Sequence, residues 1–164
     1  MSTNFYLKRK IPTEKKLDII SNIENDKWDK ASELVSEAKE EANIHLGKRS
    51  CGWQFLWALN GEKYYKPNED SIDKFLFNET NLHNAKIVDE YGDEFTLEQF
   101  WNEEVGDSLR AGKVTDEDWI TQNNIYSKRD WFGEKRQWAE KYKVNWCGNF
   151  ISEDGLKFCI EEFC

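Results

Sequence analysis

The chain is short of several things that would narrow its function at once. Among its 164 residues there are only 2 His, 2 Pro, 1 Met and 4 Cys. No apolar run approaches the roughly 20 residues needed to cross a bilayer, and the N-terminal MSTNFYLKRK has charges where a secretory signal has its apolar core. These features predict a cytoplasmic protein with no membrane association. Cys51, Cys147, Cys159 and Cys164 form no Cys-x-x-Cys pair and no regular spacing, so free thiols are expected rather than a disulfide framework or a zinc ribbon. Neither a metal nor a cofactor is expected. The net charge of −9 argues against simple wrapping of a phosphate backbone, which needs clustered Lys and Arg.

What is abundant is aromatic: 8 Trp, 10 Phe and 6 Tyr, spread from Phe5 to Phe163. Such rings bury large areas in cores and interfaces, so the chain reads as one folded domain. Its charge is unevenly placed. Residues 68 to 118 have 15 acidic against 4 basic side chains, whereas residues 119 to 145 have 6 basic against 3 acidic. Asp89, Glu90, Asp93, Glu94, Asp116, Glu117 and Asp118 form a solvated face or a surface for a basic protein partner.

The patterns predict an α+β domain, with a mixed, mainly antiparallel sheet and helices packed on one face. Residues 4 to 7 begin as a strand, and a helical insertion follows over about 13 to 42, broken near Asn25-Asp26. Leu17, Ile20 and Ile23 make one apolar stripe, and Trp28, Ala31, Val35, Ala38 and Ala42 a second; both are expected to face the core. Ser71 caps a short helix, residues 85 to 95 form a hairpin around Gly92, and Thr96 to Gln99 is a capping box. A basic helix through Trp131, Lys135, Trp138 and Tyr142 precedes a last hairpin that turns at 152 to 155.

The stretch IHLGKRSCGW, residues 44 to 53, draws most attention. Pairing strand 42 to 46 with strand 53 to 57, Leu46 opposite Trp53, makes GKRSCG a six-residue loop and puts His45 and Gln54 on a polar face. Gly47 and Gly52 would then frame Lys48, Arg49 and Ser50 as an anion-binding loop beside His45, Trp53 and Gln54; the competing reading is a wide hairpin turn. No Gly stands five positions before the Gly-Lys pair, which excludes a Walker A loop. Lys128, Arg129, Lys135 and Arg136, interleaved with Trp131, Phe132 and Trp138, suit single-stranded nucleic acid, though a helix burying its aromatic face reads the same way. Nucleophilic catalysis by Cys51 with His45, or a metal among His45 and the cysteines, has little support.

His45-Leu46-Gly47-Lys48, Ser50, Gly52-Trp53 and Phe55 resemble the H-[IL]-G-K-x-S-x-G-W-x-F element of a family of small uncharacterised phage and prophage proteins. Val88 to Gly92 leading into Leu97 to Trp101, the tail Asp154 to Phe158 with Glu162-Phe163, and the opening Ser2 to Tyr6 match in the same order. Cys51 and Cys164 depart from the pattern, which has small residues there. The resemblance implies a phage accessory protein in the bacterial cytoplasm. The leading expectation is a non-enzymatic, anti-CRISPR-like inhibitor that binds a host nucleic-acid-targeting effector or its guide RNA. A binder of a phosphorylated nucleotide through the Gly47–Gly52 loop, and a small enzyme on a phosphorylated substrate, are the alternatives.

Overall fold

The computed structural model describes residues 2–50, 54–106, 131–145 and 147–161. Seven strands form one sheet: β1 (Ser2–Lys8), β2 (Asn43–Ser50), β3 (Leu56–Ala58), β4 (Lys86–Asp89), β5 (Glu94–Phe95), β6 (Asn149–Ile151) and β7 (Lys157–Cys159). Their order is β5-β4-β1-β2-β3-β7-β6. Neighbours are antiparallel except β3 and β7, which run parallel with Trp57 beside Phe158. The expected α+β architecture is the one observed.

One face of the sheet carries Phe5, Leu7, Ile44, Leu46, Phe55 and Trp57, all 3% exposed or less. Helix α3 (Ile72–Phe77) buries Ile72 and Leu76 in the same core. Ser71 starts that helix as foreseen, its hydroxyl accepting from the Lys74 amide. Helix α4 (Leu97–Gln99) begins at the Thr96–Gln99 capping box and continues as a π-helical stretch, Phe100–Val105. The wider turn brings Phe100 against Phe5, Phe55 and Trp57, with ring centroids 5.5 to 5.9 Å apart, spacings at which tilted and edge-to-face rings attract. Helix α5 (Glu134–Tyr142) closes the β6–β7 end, where Tyr142 stacks on Phe150 at 4.2 Å.

Helices α1 (Thr13–Glu24) and α2 (Trp28–Ala42) lie between the paired strands β1 and β2. Their ends and the break at Asp26, whose φ is 58°, agree with the sequence pattern. Their orientation does not. Leu17, Ile20 and Ile23 are 60, 48 and 38% exposed, Trp28 is 60% exposed, and α1 buries no residue. The two helices pack on each other, so α2 hides only Ala31 and Ala38. Periodicity alone cannot say whether an apolar stripe is covered by a sheet, by another helix or by nothing in the chain itself, and Leu17, Ile20 and Ile23 stay on the surface.

The expected hairpin is also corrected. Strand β2 runs through Gly47, Lys48 and Arg49 to Ser50, held along its whole length by β1, so these four residues are strand rather than loop. Its register against β3 sets Gly47 opposite Trp57 and Lys48 opposite Leu56, not Leu46 opposite Trp53. Gly47 is required by proximity: a Cβ there would fall on the Leu56 carbonyl oxygen and the Phe55 ring.

Candidate functional site

A bulge decides which side chains reach the outer face of the sheet. Phe5 pairs with Gly47 but Tyr6 with His45, leaving Leu46 as the extra residue on β2. A bulge of this kind shifts the alternation of side chains by one. Tyr6 and His45 therefore share the outer face, as do Asn4 and Lys48, while Arg49 turns to the helical side and pairs with Glu104 of the π-helical stretch at 3.0 Å. Lys48 and Arg49, adjacent in the chain, point to opposite faces and cannot cradle one anion. Ser50 ends β2 opposite Ser2. Cys51, Gly52 and Trp53 lie outside the described residues, and the Gln54 amide donates to the Gly155 carbonyl at 3.0 Å, fixing it to the 152–155 turn.

His45 is held on all sides. It stacks on Tyr6 at 5.0 Å, its Nε2 lies 3.2 Å from Asn4 Oδ1, and the Asn60 amide donates to its backbone carbonyl at 2.7 Å. Asn4 in turn donates to the Glu90 carboxylate. Burial, and secondarily the Lys48 charge, push the imidazole below its ordinary value despite a backbone bond to Gly47, so the ring is neutral at pH 7.

Between this face and α5 lies an open groove of about 700 Å³, lined by His45, Ala58, Asn60, Gly61, Cys159 and Ile160 on one side and by Phe132, Glu134, Lys135 and Trp138 on the other. Burial raises the Cys159 thiol above its usual range, which disfavours the reactive thiolate. The floor is shaped by a left-handed turn in which Asn60, Gly61 and Glu62 all have positive φ, from 52° to 63°. Two of these are not glycine, a conformation that persists only where contacts enforce it. Glu62 is enforced by Lys141, 2.7 Å away, and by the Tyr142 hydroxyl. Burial would raise the Glu62 carboxyl, but those two bonds and the Lys141 charge outweigh it and hold it below the usual range; burial and the same carboxylate push the Tyr142 phenol up to about 12. Gly61 gives room for the Trp138 ring, whose edge would lie 3.1 Å from any Cβ there.

The remaining sequence candidates are scattered. Lys135 pairs with Glu161 at 2.9 Å, Arg136 with Glu140 at 3.2 Å and Lys141 with Glu62 at 2.7 Å, so the cations of α5 lie in ion pairs within the chain. Lys128, Arg129, Asp116, Glu117 and Asp118 lie outside the described residues. Asp89 is buried and accepts from the Tyr91 and Asp93 amides, which makes it a turn residue rather than a docking group. Glu90 is bonded to Asn4 and Glu94 to Lys86, while Asp93 is exposed at the hairpin tip. Among the described candidates, His45 and Lys135 alone line the groove together; Asn60, Phe132, Glu134, Trp138, Cys159 and Glu161 join them. Only the helical spacing of Lys135 and Trp138 signalled any of this, because the groove draws on four separated segments.

The chain matches no family model, no curated protein and no solved structure.

Proposed function

We propose that this chain is a non-enzymatic, anti-CRISPR-like binding protein of phage origin that disables a nucleic-acid-targeting defence effector by docking on the effector protein rather than on its guide RNA. The observation that carries this reading is the α1–α2 hairpin, which presents Leu17, Ile20, Ile23 and Trp28 to solvent in a chain of net charge −9. An apolar stripe flanked by charges of both signs, Glu14, Asp18 and Glu24 with Lys16 and Lys27, suits a protein surface with an apolar centre and a polar border. The described cations of the basic helix lie in intramolecular ion pairs, which weakens the RNA alternative, since phosphate contacts need uncommitted Lys and Arg. The resemblance to phage and prophage proteins supplies the biological setting. A phosphorylated nucleotide has less support, because Gly47 to Ser50 form a strand.

The test is co-purification from a bacterial host, with protein and RNA both identified, for the native chain and for Ile20→Glu with Trp28→Ala. Recovery of an effector by the native chain, lost in the double variant while its circular dichroism is unchanged, is the expected result. Recovery of RNA without protein, or of neither, would overturn the reading.

A further inference from the structure

The groove beside His45 has a chemistry of its own. Phe132 stands at its mouth 80% exposed, and Trp138 forms a wall backed by Gly61. Two carboxylates, Glu134 and Glu161, and one ammonium, Lys135, line it, and Lys135 is committed to Glu161. No ion pair joins Glu134 among the described residues. The neutral His45 ring adds no repulsion toward a cation. Aromatic faces beside an uncommitted carboxylate attract a flat, weakly hydrated cation through ring quadrupole and charge together.

We propose that this groove is a guanidinium site that receives an arginine side chain of the basic partner protein, between Trp138 and Phe132 with its charge on Glu134. This rests on the proposed protein-docking function, which supplies a basic partner; the groove supplies the aromatic walls and the negative charge that select arginine from it. The groove is open to the surface, so a side chain can enter without any part of the fold unfolding.

The experiment is a titration of the full chain with acetyl-Gly-Arg-Gly-amide, followed through the indole N–H signals by NMR, with acetyl-Gly-Gln-Gly-amide as control. Trp138→Phe assigns the Trp138 signal. The expected result is movement of that signal by the arginine peptide alone, with affinity reduced about two- to fivefold by Glu134→Gln. A motionless Trp138 signal, equal response to the glutamine peptide, or unchanged affinity in Glu134→Gln would overturn the inference. A negative titration leaves the co-purification result standing, whereas a Trp138 response without effector recovery keeps the guanidinium site and removes the effector.

Discussion

Gly47 shows how one residue type can answer to two demands. In sequence it resembles half of a glycine frame for an anion; in the fold it lies opposite Trp57 where the Leu56 carbonyl and the Phe55 ring leave no room for a Cβ. Gly47→Ala should cost about 3 kcal/mol, the upper range for overpacking a tight contact, because neither the Leu56 carbonyl nor the buried Phe55 ring can withdraw freely. Urea unfolding would measure it, and a loss below about 0.5 kcal/mol would fit a surface loop instead. His45 makes a pH prediction. Its imidazole is held below the ordinary value, so the unfolded chain binds the proton more readily than the folded one. The stability that follows is present above the ordinary histidine value and is lost as pH falls through the lowered one. Melting temperature should fall across that acidic window, and His45→Gln should flatten this part of the profile.

At the scale of elements, the secure predictions from sequence were those in which a local signal is also the local cause. The Thr96–Gln99 box forms because hydroxyl, amide and backbone satisfy one another within four residues, and Thr96→Ala should cost about 1 kcal/mol of unfolding free energy. Gly92, with φ 93°, turns the β4–β5 hairpin for the same kind of reason. Helix α1 was legible in extent but not in direction, because an apolar stripe does not say what covers it, and this one stays exposed. The turn at Asn60 to Glu62 depends on contacts nearly 80 residues away. Glu62→Gln should remove the charge that holds Lys141 and Tyr142 and lower stability by about 1 kcal/mol, a modest figure because Lys141 is largely exposed. Because the carboxyl is held below its usual range, the wild type should lose this contribution as pH falls through that lowered value, and the variant should not.

For the whole molecule, charge and shape act together. With net charge −9, association with a basic protein should be steered by long-range attraction, so its on-rate should fall steeply as salt is raised while the dissociation rate changes less. Stopped-flow or surface-binding kinetics at several ionic strengths would check this; a salt-independent on-rate would point to purely apolar docking through α1.

The amino-acid sequence by itself determined the class of fold, most element boundaries, the caps and turns, and the aromatic richness of the core, since each arises from neighbours within a few residues. Tertiary structure alone decided what lies beside what. Pairing of β1 with β2 carries strand through Lys48 and Arg49, whose alternation puts them on opposite faces, and the bulge at Leu46 decides which of the two faces outward. The groove of His45, Trp138 and Glu134 comes from segments that meet only when the sheet is assembled. Local preferences are summed along the chain, but register is settled between strands, and a shift of one residue there reassigns every side chain that follows.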